Sequence, residues 1–135
     1  MSAAGWALQK AIFDALSADA ALKALIGDPP RVFDIAPLRG PFPFVVFGDA
    51  REAKVSGADN LIEHDIRFAV HSRYEGRREV KDIVTAIVSA LDEAPLALAG
   101  FHLISLRAAF SDIFHRPDAD AYQGLIRFRA VTERS

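Results

Sequence analysis

The sequence predicts an α+β domain: an antiparallel β-sheet packed on one face by helices, in the order α-α-β-β-β-α-β-β. Three observations predict it. Apolar residues recur at spacings of three and four near the N-terminus and again over Gly76–Asp92, the period of an amphipathic helix. They alternate with polar residues over Leu61–Arg73 and Leu125–Val131, the period of a strand with one covered face. Proline and glycine clusters separate these segments. With 135 residues, of which 51% are hydrophobic and 25% charged, a single domain over 1–135 is expected.

Taken in order, Trp6, Leu8, Ile12, Phe13 and Leu16 give a first helix of about four turns with one apolar side. It breaks near Ser17-Ala18-Asp19, where Ser17 or Asp19 can cap a shorter helix running through Leu22, Leu25 and Ile26. Gly27 tolerates left-handed geometry and Pro29-Pro30 forbid continuation. Arg31–Ile35 is a short β candidate, followed by a rigid turn through Pro37, Gly40, Pro41 and Pro43. Phe44-Val45-Val46-Phe47 is continuously apolar and reads as a strand covered on both faces. In Leu61–Arg73, Ile62, His64, Ile66, Phe68 and Val70 point one way, and Glu63, Asp65, Arg67 and His71 the other. Ser56–Asn60 between these strands is a hairpin tip. In the helix at Gly76–Asp92, Val80, Ile83, Val84, Ile87, Val88 and Leu91 form one side, and Pro95 ends it. Strands return at Phe101–Ile113 and Leu125–Val131, with Arg116–Gln123 as the polar loop between them.

Composition excludes several classes of function. Sixteen Lys plus Arg against 18 Asp plus Glu leave a net charge of −2, too balanced for a protein that coats nucleic acid or an anionic membrane. There are no cysteines, which excludes disulfides, thiol catalysis and Cys-based zinc sites. The longest helical apolar stretch, Val80–Leu91, is interrupted by Lys81, Asp82, Thr85 and Ser89 and falls short of the ~18–20 residues of a membrane span. The N-terminus lacks the features of a secretory signal. A soluble, cytoplasmically made protein is expected.

Catalytic and metal-binding patterns are lacking. His64 and His71 lie about 23 Å apart along one strand and face opposite sides, so they cannot share a metal. Asp112, His115, Asp118 and Asp120 form the only local cluster of donors. Tyr122 and Gln123 stand where an EF-hand loop needs oxygen ligands and glycine, and a solvated turn accounts for the cluster. No nucleophile elbow, S-x-x-K, H-E-x-x-H or phosphate-cradling glycine loop is present. Asp34 and Asp49, beside strands, read as edge or turn residues rather than catalysts. An enzyme is not expected, and neither metal nor cofactor is implied.

Twelve of the 16 basic residues are arginine, the better residue for planar multi-donor contacts, although a genome rich in GC codons, which raises Arg and Ala together, is the better explanation of the bias. Arg127 and Arg129 form a cationic stripe on the last strand that a partner surface or nucleic acid could use. Ten phenylalanines are generous for a sheet with one covered face; leftover apolar surface marks partner sites, and a well-filled core accounts for them equally. Antiparallel sheet edges are a further adhesive surface, because a neighbour can add a strand to them.

In this order the segments are recognisable. Leu16–Gly27, then Arg31-Val32-Phe33, then Pro41–Gly48 resemble the opening of the small tail-completion proteins of long-tailed phages and gene transfer agents. The likeness continues through Asp65–Arg73, the helix from Gly76 to Leu91, and Tyr122–Ala130, covering about Leu16 to Glu133. His71 departs from it, standing as a surface choice where an aromatic is expected. The resemblance implies a tail terminator: a structural virion protein, built in the bacterial cytoplasm, that caps the head-proximal end of the tail tube as a hexameric ring. Its implied partners are further copies of itself, the major tail tube protein, the neck or head-closure protein, and DNA crossing the lumen without sequence-specific binding. A ring needs a heterologous interface, and two more surfaces must meet the tube and the neck. The tips Ala53–Asn60 and Arg116–Gln123 suit these roles because loops adapt to partners of differing shape. The candidate contact residues are Lys54, Ser56, Asp59 and Asn60 on one tip, and Arg116, Asp118, Asp120 and Gln123 on the other. The competing readings are a neck or head-closure (stopper) protein and a small-molecule-binding α+β domain.

Overall fold

A computed structural model of the chain describes residues 2–73 and 75–135. The first helix, α1 (Ala3–Ala18), starts where the Ser2 hydroxyl accepts the Gly5 N–H at 3.0 Å. Asp19 ends it and begins the next: its N–H bonds to the Leu16 carbonyl, and its carboxylate accepts the Leu22 N–H at 3.0 Å to cap α2 (Ala20–Ile26). Of the two cap candidates, Asp19 is therefore the one used. Gly27, at φ +97°, closes α2 as expected.

Five strands follow in the predicted order around one more helix: β1 (Val32–Phe33), β2 (Phe44–Lys54), β3 (Leu61–Ser72), α3 (Arg78–Leu91), β4 (Phe101–Arg116) and β5 (Ala121–Arg134). They form a single sheet of spatial order β1-β2-β3-β5-β4. Every pairing is antiparallel except β1 with β2, which is parallel. The expected strand at Arg31–Ile35 is thus only two residues long, because the cluster of prolines after it turns the chain away from the sheet. Arg31 ties the segment down, donating from Nε to the Pro43 carbonyl at 2.9 Å and from Nη2 to that of Phe42 at 3.3 Å.

The helices cover one face. On β3 the buried residues are His64, Ile66, Phe68, Val70 and Ser72, and on β5 they include Ile126, Phe128, Ala130 and Thr132, the alternation the sequence predicts. Phe68 is at the centre, 5.9 Å from Phe128 edge-to-face and 5.1 Å from Phe47. Burying a phenylalanine this completely contributes about 1.5–3 kcal/mol. α3 lays Val80, Ile83, Val84, Ile87 and Leu91 on this face. It comes closest at Gly124, where a Cβ would lie 3.0 Å from methyls of both Val80 and Val84; glycine is needed there for the approach itself.

Two expectations change. Trp6 and Phe13 are 57% and 40% exposed. Only Ala4, Leu8, Ile12 and Leu16 of α1 are buried, a stripe with a spacing of four; at 100° per residue Trp6 falls on the opposite side from Leu8. The hairpin arms are also longer than predicted: β4 runs on to Arg116 and β5 begins at Ala121. Strand pairing uses the backbone, so arms that project past the core continue without an apolar alternation to announce them.

Candidate partner-contact surfaces

The first hairpin tip is a double turn. Val55 and Ala58 carbonyls accept the N–H groups of Ala58 and Leu61, and Gly57 supplies a positive φ of 78°. Ser56 and Asp59 are exposed on this turn. Asn60 is held to the neighbouring strand, its amide donating to Glu133 at 3.2 Å and its carbonyl accepting the Arg134 N–H at 3.2 Å. Lys54 is the last residue of β2, paired with Ile62, and so lies at the base of the tip rather than on it.

The second tip is shorter than predicted, a single 3-10 turn at Pro117–Ala119 followed by Asp120 in left-handed geometry at φ +47°. Arg116 and Gln123 fall in the strands beneath it. The structure brings three of the four predicted residues together: the Arg116 guanidinium donates to Gln123 Oε1 at 3.1 Å and sits 3.6 Å from Asp118. Asp120 instead shapes the backbone, its N–H returning to the Pro117 carbonyl.

The two groups are not brought together. β3 pairs with β5 from Leu61↔Glu133 at one end to Ser72↔Tyr122 at the other, with one tip beyond each end. Twelve residues of β3 separate them, a span of ~40 Å at 3.3 Å per residue.

The face of the sheet away from the helices carries charge. Cross-strand pairing lines up Arg51, Asp65, Arg129 and Arg107 in one row, with Arg67 opposite Arg127 in the next. The expected Arg127–Arg129 stripe is therefore divided. Arg127 grips the Asp65 carboxylate with two bonds of 3.2 and 3.1 Å, while Arg129 is exposed. Arg51 and Arg107 on neighbouring strands join Arg67 on this face without any local signal in the sequence. Strand parity places them there, but only once the strand order is known.

His71 is more than a surface choice. Its ring stacks on Phe44 at 4.8 Å and 20°, within a cluster completed by Phe33 and Phe42, with Arg73 lying 4.4 Å over Phe42. The imidazole thus does the packing work of the aromatic expected there. Burial, and secondarily the Arg116 guanidinium, hold it below the ordinary histidine range. His64, on the helix-covered face, lies 2.8 Å from the Thr132 hydroxyl and 3.8 Å from Glu52. Burial lowers its pKa as well, with Glu52 partly opposing.

Among the described residues no cluster of three or more His, Asp or Glu side chains could hold a metal. Beside His64, between α1 and the sheet, lies a cavity of about 20 Å³ lined by Leu8, Phe47 and Ile66, the size of a water site rather than of a ligand pocket.

The family model for "Tail completion protein gp17" matches residues 10–133. The chain belongs to that family. Membership makes it a structural protein of phage-like tails and not an enzyme. A solved chain from "Virion of native gene transfer agent (GTA) particle" superposes with a TM-score of 0.87 at 30% identity, covering 98% of this chain and 99% of that one. No curated protein matches the chain. The tail-completion match begins six residues before the likeness seen in the sequence and so takes in most of α1.

Proposed function

We propose that the chain is a tail terminator, capping the head-proximal end of the tail tube as a hexameric ring and joining it to the neck. The observation that carries this reading is the placement of the two hairpin tips at opposite ends of one continuous sheet. A subunit that must touch one ring below and another above needs adaptable contacts pointing both ways, held apart by something stiff. A sheet of long paired strands is such a spacer. On this reading Ser56 and Asp59 contact one neighbouring ring, and Asp118 with its Arg116–Gln123 support contacts the other. DNA crosses the lumen without sequence-specific contacts, and assembly takes place in the bacterial cytoplasm before the tail meets the head.

Inactivating the gene and imaging the particles tests the reading. A terminator's loss leaves tailless heads together with loose or overlong tubes. Filled heads that leak DNA beside tubes of normal length would instead identify a neck or head-closure protein, and normal particles would remove the structural role. Deleting either tip is expected to abolish head–tail joining while the protein still folds; normal tailed particles after either deletion would count against the assigned contacts.

A further inference from the structure

The sheet ends in two edges that differ in an informative way. On one side, β1 covers only Val45 and Val46 of β2, and among the described residues no backbone bond reaches the outer side of β2 from Gly48 to Lys54. An open groove of about 420 Å³ runs along this stretch, bounded by Gln9 and Asp34 and by Asp49 and Glu52 of the strand itself. On the other side, the segment after α3 seals the middle of β4: the Glu93 N–H reaches the Leu106 carbonyl at 2.8 Å, and the Ala108 N–H reaches Asp92 at 2.9 Å. From Ala109 to Arg116 the outer side of β4 has no backbone partner among the described residues. Phe110 on this stretch is 49% exposed.

We propose that the open half of β4 in one copy pairs antiparallel with the open half of β2 in the next, so that copies join head-to-tail through one continuous sheet. Three features support it. Direction is the first: with the order β2-β3-β5-β4 and antiparallel pairing throughout, β4 runs opposite to β2. A neighbour in the same axial orientation therefore offers β2 in the sense that continues the alternation, as rotational symmetry demands. Charge is the second. Both edges carry charges of either sign, Asp49, Arg51, Glu52 and Lys54 on β2 and Arg107, Asp112 and Arg116 on β4, so antiparallel pairing can set unlike charges opposite one another. Offset is the third. The open half of β4 is level with residues 67–72 of β3, and the open half of β2 with residues 62–66, a displacement of about five residues or ~17 Å. Strands of a closed barrel tilt by about 35–45°, so four strands spaced ~4.8 Å apart accumulate a displacement of roughly 13–19 Å. The two open edges are staggered by the amount that closure requires. An unpaired edge this long is otherwise a liability for a free subunit.

The inference rests on the ring-forming terminator reading and names its interface. The chain has no cysteine, so introduced pairs report without background. Ala50→Cys, Arg51→Cys or Ala53→Cys, each combined with Ser111→Cys, Asp112→Cys or Ile113→Cys, spans the neighbouring registers at exposed or half-exposed positions. The variants are assembled into particles, purified, oxidised mildly and run without reductant. At least one pairing is expected to carry most of the subunit into a ladder of covalent multimers that stops at the copy number of the ring, with every single variant monomeric. A subunit present in joined particles yet monomeric in all nine pairings overturns the edge pairing and leaves the terminator reading in place. So does a single variant that couples to itself, since that requires an isologous contact. Absence of the subunit from joined particles overturns both.

Discussion

On the helix-covered face of the sheet, side chains are chosen by volume: Phe68, Phe128 and Ile126 are fully buried, and Gly124 is held to the size of a hydrogen by Val80 and Val84. On the opposite face they are chosen by charge, with Asp65 gripped by Arg127 and approached by Arg67 at 4.0 Å. The same strands supply both faces, so the difference comes from alternation along β3 and β5 and not from separate segments. The lesson is that one face holds the fold, while the other, with the edges and tips, is released from that demand.

Substitutions of similar size should therefore cost very different amounts on the two faces. Phe68→Ala has the largest expected effect, about 3–5 kcal/mol of stability by chemical denaturation, because it empties the centre of the core. A loss below 1 kcal/mol would mean that the face is not packed as described. Gly124→Leu comes next, at about 1–3 kcal/mol from overpacking against α3. Trimming both opposing valines in Val80→Ala/Val84→Ala should return part of that loss, a non-additivity that independent sites would not show.

The histidine of the covered face gives a pH test. Because the folded-state pKa of His64 lies below its ordinary value of 6.5, the unfolded chain takes up the proton first as pH falls. Stability is then full above about pH 6.5 and declines below it until the folded form is protonated too. His71 acts in the same sense. Replacing His64 and Thr132 together, as His64→Leu/Thr132→Val, removes both partners of the buried bond and should make the decline shallower, leaving the His71 share. An unchanged slope would show that His64 is not desolvated.

Asp65→Asn has the smallest expected effect. It weakens the grip on Arg127, but that pair is only partly buried, and such exchanges cost about 1 kcal/mol or less. If instead it unfolded the protein, the division of labour between the faces would be wrong.

What could be read from the sequence follows the same division. α3 and the alternation of Leu61–Arg73 were legible because burial on one side imposes a period on side chains such as Val80, Ile83 and Ile87, or Ile66, Phe68 and Val70. The tips were placed correctly by Gly57, Asn60 and Pro117, but their extents were not. Lys54, Arg116 and Gln123 belong to strands whose pairing leaves no mark on side-chain polarity. Trp6 and Phe13 misled because apolar residues need not be buried. The row of Arg51, Asp65, Arg129 and Arg107 and the stacking of His71 on Phe44 depend on which strands are neighbours, information held in pairings of distant segments and not in any local pattern.

In the proposed terminator role this subunit bridges two rings of a virion through opposite ends of one sheet. A cryo-EM reconstruction of the assembled particle around the head–tail junction tests it most directly. The account predicts six copies in a single ring at the head-proximal end of the tube, with the turn containing Ser56 and Asp59 against one neighbouring ring and the Pro117–Asp120 turn against the other. Copies spread along the tube, or both turns facing the same neighbour, would contradict it.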